Sequence, residues 1–373
     1  MSREPSRPRR GRAEFVPGRA ISDDLVAAWR SLAQRSAEPN LFAEPEIVLP
    51  SVTHLARGGR AGILTVRNDE RLLGVLPVEW PVHVGRSALP VVQGWVEPYR
   101  PLGGPLLDAE HAVDAVAALL RPPVALAAPL MLLRYFPEDG PVAAALDEAL
   151  AREGRTSLTL KTYERALLLR DGGPAPSKNR KNRYSRLRRQ REALAAALGP
   201  VRVVDRSDDP GAIEEFLALE MSGWKGRAGT ALACTDGHAA WFREVCDLLR
   251  AAGRLEVLSA EAGGRTTAMW VDFDDGEGSI HFKSAYDEDL GEHRPGELLL
   301  LHCVENANES RYAWRDSATV PDNTLFNQLW PSRRRLSTRL VPLHGRIGDT
   351  ALAAAGALLR LRDRRQGERA TGA

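Results

Sequence analysis

The sequence predicts a mixed α/β fold built as two related halves. Three observations carry this. The second half reads as helix–helix–β–β–β–helix–β, an order that mixes layers rather than segregating them. The first half opens in the same way, with an amphipathic helix followed by a hairpin. Between them lies "RDGGPAPSKNR" (170–180), a Pro- and Gly-rich stretch that breaks both patterns.

In the first half, Leu25, Trp29 and Leu32 recur at helical spacing within 22–36. In "AGILTVRNDERLLGVLPVEWPV" two apolar β-type runs flank Asn68-Asp69-Glu70-Arg71, which predicts a hairpin. In the second half, Asp209 and Pro210 supply an N-cap and first-turn pair for a helix with Ile213, Phe216, Leu217 and Met221 on one face. A further helix places Trp241, Phe242, Val245, Cys246 and Leu249 inward, and Gly253 suits a left-handed cap. Three strand-like runs follow over 254–286, separated by turns at Gly263-Gly264 and Asp274-Asp275-Gly276. A Leu-rich helix from "RPGELLLL" and a strand-like "RYAWRDSA" complete the order. The expected organisation is a disordered basic tail at 1–14, a domain at 15–170, a linker with an Arg-rich helix at 171–199, a second domain at 200–346, and a terminal helix and tail at 347–373.

With 373 residues, 43% hydrophobic and 27% charged, the chain has the composition of a globular protein able to form two cores. No apolar run approaches the ~20 residues needed to span a bilayer. The basic N-terminus lacks the apolar stretch of a secretory signal. Cys234, Cys246 and Cys303 have spacings of neither a disulfide framework nor a metal site, so no metal is expected. A reducing cytoplasm is the expected compartment.

Eight Lys or Arg and no acid occupy the fifteen positions Ser177–Arg191. The formal net charge of +2 conceals three basic segments, 1–12, 171–199 and 332–373, and an acidic remainder. Such segments suit a polyanion, and they equally suit solvated helix surfaces and tails. No helix-turn-helix, zinc-finger or aromatic RNA-binding pattern accompanies them, so DNA is not the expected partner.

The start of "RPGELLLL" has its own chemistry. Pro295 and Gly296 open a buried helix beside Arg294, and free amides at a helix start suit a phosphate or pyrophosphate. The same pair also serves simply to begin a core helix.

Taken together, "EMSGWKGRAGTAL" (220–232), "IHFKSAYDEDLGEHRPGELLLLH" (280–302) and "RDSATVPDNTLFNQLWPSRR" (315–334), with the basic helix before them, resemble the CelD-type acetyltransferases. These are relatives of the Fem peptidoglycan aminoacyltransferases and consist of two GNAT-like halves. The resemblance spans most of 15–340 in layout and is best over 177–335. It implies two GNAT-like domains, each a mixed, mostly antiparallel sheet flanked by helices, joined by the Arg-rich helix. It also implies acetyl-CoA as co-substrate and direct attack of an amine or hydroxyl on the thioester.

Carried onto this sequence, the resemblance implies that the strand from Ile280 through Phe282 and Lys283 to Tyr286 contacts acyl-CoA. Arg294, Gly296 and Glu297 would surround the pyrophosphate. Candidates for the base are His281, His302, Asp316 and Glu220: a neutral His suits proton transfer near pH 7, and Asp316 ends a predicted strand, a usual position for a functional carboxylate and equally for one that caps the next turn. Tyr286 is a candidate to protonate the leaving thiolate. Trp224 and Lys225 of "SGWKG", with Asn327 and Trp330, would meet the acceptor. In many relatives a Tyr-Lys pair precedes the terminal tryptophan; here Phe326 and Asn327 stand there, leaving Arg333 and Arg334 as possible substitutes.

The leading expectation is an N- or O-acetyltransferase acting on a sugar or cell-envelope precursor. A Fem-like enzyme using aminoacyl-tRNA is the first alternative, and a non-catalytic GNAT-like scaffold or nucleic-acid-binding protein the second.

Overall fold

The computed structural model describes residues 11–56, 60–69, 71–83, 90–95, 99–123, 126–171 and 173–371, the last eleven by their backbone. It comprises two compact units. One contains the chain up to Val48, Ala56–Thr162 and the chain from Leu336; the other contains Leu49–Leu55 and Tyr163–Arg335.

In chain order the first elements are β1 (Arg12–Pro17), α1 (Asp23–Gln34), α2 (Pro45–His54), β2 (Ala61–Arg67), β3 (Leu72–His83), β4 (Pro90–Gly94) and β5 (Leu106–Leu107). Then come α3 (Ala112–Leu119), β6 (Leu130–Pro137), α4 (Pro141–Ala151) and β7 (Leu158–Leu169). The remainder is α5 (Lys178–Leu198), β8 (Val201–Asp205), α6 (Gly211–Ser222), α7 (Trp224–Arg227), α8 (Asp236–Ala251), β9 (Leu255–Ala262), β10 (Arg265–Asp274) and β11 (Gly278–Tyr286). It ends with α9 (Pro295–Glu305), β12 (Trp314–Asp316), α10 (Thr324–Leu329), β13 (Ser332–Pro342) and α11 (Arg346–Thr371).

In the first unit, Ser22 caps α1 by accepting from the Leu25 amide, and Leu25, Trp29 and Leu32 are buried as their spacing predicts. The predicted hairpin is β2–β3; its turn is closed by Asn68 Oδ1, which accepts from the Arg71 amide at 2.8 Å, while Glu70 lies outside the described residues. The sheet order is β1-β2-β3-β4-β6-β13, with β5 pairing on β3. Leu64, Val66, Leu76, Val92, Met131 and Leu146 are at its core.

In the second unit the order is β8-β9-β10-β11-β12-β7. The two sheets share one plan: three antiparallel pairings, one parallel pairing of three residues, and a final antiparallel strand. Trp241, Phe242, Val245, Cys246 and Leu249 of α8 are buried, and Gly253 takes φ +67° just past the helix end. Gly263, Gly264 and Gly276 supply positive φ at the two hairpin turns.

Several boundaries differ from the sequence reading. Of the tail expected at 1–14, residues 1–10 lie outside the described residues, and Arg12–Pro17 pair with Arg67–Gly62 of β2 instead of being disordered. The Arg-rich helix α5 belongs to the second unit, where Tyr184, Leu187 and Leu194 are buried in its core. Residues 336–346 belong to the first unit, because β13 pairs with β6 from Leu336↔Pro137 to Pro342↔Leu130. Helix α6 starts at Gly211, whose amide donates to Asp209 Oδ1, and its buried stripe of Ile213, Phe216, Leu217 and Glu220 leaves Met221 exposed. An inward acid was not anticipated there.

Candidate functional site

The site forms where β11 and β12 part. They pair in parallel over Gly278↔Trp314, Ser279↔Arg315 and Ile280↔Asp316 only, whereas β11 continues to Tyr286. From His281 onward, β11 has no second strand neighbour among the described residues. A bulge falls at the same place: β10 advances from Val271 to Asp272 while β11 steps from Lys283 to His281, so Phe282 is the extra residue. A bulge re-aims side chains, and here Ser279 and His281 share one face while Phe282 and Lys283 share the other. Gly278 permits the approach, since a Cβ there would lie 2.2 Å from the Trp314 indole.

On the first face His281 is buried, and its Nδ1 lies 2.9 Å from Asp272 Oδ1. Asp272 Oδ2 accepts from Ser279 Oγ at 2.8 Å and from Arg315 at 3.0 Å, and Arg315 also binds both carboxylate oxygens of Glu256. With Asp272 as acceptor, the proton sits on Nδ1 and the lone pair on Nε2, and Nε2 has no hydrogen-bond partner among the described residues. Burial holds the imidazole below its ordinary value; Asp272 counters this in part, and Lys225 and Arg315 add to the depression. The ring packs 3.8 Å from Trp270 and 5.3 Å from Phe326 between centroids. The indole N–H groups of Trp270 and of Trp330, whose ring centroids are 6.3 Å apart, are buried with no hydrogen-bond partner among the described residues. Asp272, Arg315 and Glu256 were missed from sequence; the available signal was an acid at an inward position of "AMWVDFD".

On the second face Phe282 stacks on Phe273 and Phe242. Lys283 Nζ donates to Glu220 Oε1 at 2.7 Å, and Lys225 Nζ donates to the same oxygen at 3.2 Å and to the Ser284 carbonyl at 2.6 Å. Glu220 Oε2 accepts from the Leu232 amide, so this buried carboxylate is fully engaged and unsuited to act as a base. Burial lowers the Lys225 pKa, against the pull of Glu220. Trp224 is 51% exposed, its amide held by Glu288.

Beyond β11, Arg294 adopts the left-handed conformation (φ 55°) as N-cap of α9, with Pro295 in the first turn. The Gly296 amide has no partner among the described residues, and its α-carbon faces Tyr286, whose ring would lie 3.5 Å from an added Cβ. The Glu297 amide is taken, donating to the Arg294 carbonyl at 2.9 Å, and its carboxylate is held by Arg183 of α5 and by Arg294, the latter at 2.7 Å.

The remaining candidates are placed differently from expectation. Asp316 ends its strand as predicted, but it is fully buried and held by Arg165 at 2.6 Å through each oxygen, by Arg334 at 3.1 Å and by the Ala318 amide. Burial raises its pKa, and the two guanidinium groups outweigh that and hold it below the usual range. An acid so paired is an anchor rather than a base. Ile280 is buried with both edges paired, so its backbone is closed to a ligand. Trp330 is fully buried in the core instead of facing an acceptor. His302, its pKa lowered by burial and then by the charge of Arg315, has its Nδ1 3.1 Å from the side-chain amide of Asn306, the residue that caps α9. Asn327 donates to the Pro321 carbonyl at 2.7 Å. Arg333 is engaged with the carbonyls of Asn327, Trp330 and Ser332, and Arg334 with Asp316, so neither stands free in place of the lysine.

Residues 180–322 match the family model of the GNAT acetyltransferase domain. No curated protein is matched. Among solved structures, the chain is similar to a conserved protein of unknown function from Bacteroides thetaiotaomicron at 12% identity and TM-score 0.53, covering 88% of this chain and 99% of that one. It is likewise similar to FemX at 12% identity and TM-score 0.51, covering 85% and 96%. At this identity the likeness is one of fold, and it extends over both units. Among the described residues, no helix is long and apolar enough to cross a membrane.

Proposed function

We propose that the chain is an acyltransferase of CelD type, taking an acetyl group from acetyl-CoA to an amine or hydroxyl of a sugar or cell-envelope precursor. The observation that carries this is the parting of β11 and β12 beside His281, with the start of α9 at the far end of the β11 segment that has no second strand neighbour among the described residues. The pyrophosphate would sit at the Gly296 amide with Arg294 beside it, and the pantetheine arm along residues 282–286. That placement holds the thioester at the parting, so positioning and fixed dipoles supply much of the rate.

In this reading the acceptor's lone pair forms a bond to the thioester carbonyl carbon, and the C–S bond then breaks. His281 Nε2 takes the acceptor's proton, Asp272 fixes the ring tautomer, and Arg315 and Ser279 fix Asp272. The thiolate leaves and is protonated from solvent; Tyr286, whose ring lies against Gly296 at the pyrophosphate end of the strand, is not placed to reach it. Lys225 positions the strand through the Ser284 carbonyl, and exposed Trp224 offers an aromatic face to the acceptor.

Thermal unfolding with and without acetyl-CoA tests the reading, because a ligand that binds the native state raises its melting temperature. The shift should vanish in Arg294→Ala/Gly296→Glu, which places a carboxylate at the helix start. No shift in the wild-type chain, together with salt-sensitive retention of aminoacyl-tRNA, would favour the Fem-like alternative; neither response would favour a scaffold.

A further inference from the structure

The arginines of α5 fall into two sets. On the side packed against α9 they meet acids: Arg183 pairs with Glu297, and Arg188 and Arg191 pair with Glu305 at 2.7 Å each. On the other side Arg186 and Arg189 are exposed and make no ion pair or hydrogen bond among the described residues. They line a groove of about 620 Å³ together with Asn179, Arg180, Asn182, Arg183 and, from α10, Gln328. Arg180 spans the groove floor by donating to the Gln328 carbonyl at 3.2 Å, and its charge lowers the pKa of Arg333, whose own burial is the larger cause. Apart from Arg183, which Glu297 holds, the groove's arginines have no ion-pair partner among the described residues, so like charge is concentrated there.

Its position suggests the occupant. Arg183 lines the groove and also grips Glu297 in the first turn of α9, so the groove adjoins the helix start to which the donor's pyrophosphate is assigned. Arg186 and Arg189 lie about 4.5 and 9 Å further along the α5 axis. The groove is of nucleotide size, and the side-chain amides of Asn179, Asn182 and Gln328 border it. Resting on the acyl-CoA reading above, we infer that this groove seats the adenosine end of the donor, with Arg186 and Arg189 binding its ribose 3′-phosphate. A phosphate monoester dianion meets two guanidinium groups there, and such charge-assisted pairs are among the stronger hydrogen bonds.

Calorimetric titration with acetyl-CoA and with 3′-dephospho-acetyl-CoA tests this, on the wild-type chain and on Arg186→Gln/Arg189→Gln, whose exposed substitutions should leave the melting temperature unchanged. The expected result is a preference of about tenfold or more for acetyl-CoA in the wild type, falling below about twofold in the variant. Equal binding of the two ligands by the wild type, or a preference that survives in the variant, overturns the inference and leaves the acyl-CoA reading intact. Absence of acetyl-CoA binding to the wild type overturns both. If tRNA is then retained by the wild type and lost by the variant, the groove serves a polymer instead.

Discussion

Asp272 and His281 face each other across the β10–β11 hairpin at 2.9 Å, nine residues apart in sequence and both buried. The hairpin register sets the pair, and the bulge at Phe282 turns the residues after it toward the other face of the sheet. His281→Gln should lower kcat by about 10²–10⁴ with little change in KM, the range for a lost general base. The acid limb of the wild-type profile should lie below the ordinary histidine value of about 6.5, since burial depresses the ring. Asp272 raises that pKa, so Asp272→Asn should move the limb further down while lowering kcat. A pH–rate profile of the three proteins checks the sign, and a limb that rises in Asp272→Asn contradicts it.

Arg165 and Asp316 form a buried two-point pair, and removing one partner strands the other. Arg165→Met should cost about 3–5 kcal/mol, read from urea unfolding, and Arg165→Met/Asp316→Leu should cost less than the sum of the single changes. The Asp316 pKa is lower folded than unfolded. Its stabilisation is therefore full above the unfolded aspartate value of about 3.9 and is lost as pH falls through the lower folded value. Unfolding midpoints across pH 2–6, compared with those of the double variant, read this directly.

Gly278 of β11 lies against the Trp314 ring of β12, where an added Cβ would come within 2.2 Å of the indole. Gly278→Ala forces the ring or the strand to move, and overpacking of this kind costs about 1–3 kcal/mol. Because the parallel pairing is three residues long, the variant should also lose the melting shift that the proposed function expects from acetyl-CoA. Retention of a full shift would show that the parting tolerates the change.

Glu220 stands between two lysines and the Leu232 amide. Glu220→Gln should destabilise by about 3 kcal/mol at neutral pH. Lys225 already has a lowered pKa, and loss of the carboxylate lowers it further. The penalty should thus shrink as pH rises toward the ordinary lysine value of about 10.4, a trend that thermal unfolding between pH 7 and 10 follows.

Helices and hairpins were legible wherever a single period ran long enough: α1, α8, the β2–β3 hairpin and the β9–β11 meander all announce themselves through spacing and turn glycines. The start of α9 was legible for the same reason, as Pro-Gly before a Leu run. Side-chain pairing was not. Asp316 looks like a free strand-end acid until Arg165, 151 residues away, is seen beside it, and nothing local marks that distance. Trp330 looks like an acceptor contact until its burial is seen. Asp272 was readable in principle, as a charge on an inward strand position, but its partner His281 is identified by register, which depends on the bulge. The boundary at 171–199 was drawn from composition, whereas α5 is tied to the second unit by contacts with α9 and by the Tyr184 hydroxyl, which donates to the Leu329 carbonyl.

The strand that closes the first unit's sheet, residues 336–342 of β13, leaves the ribosome after every segment of the second unit. Until it emerges, β6 presents an open edge from Leu130 to Pro137. The second unit's segments precede Arg335, so the nascent chain holds all of that unit while the first still waits for its final strand. A ribosome paused once residue 335 has cleared its exit tunnel, but before residues 336–342 have, would carry one finished unit and one with an exposed apolar edge, a state open to chaperone capture and proteolysis.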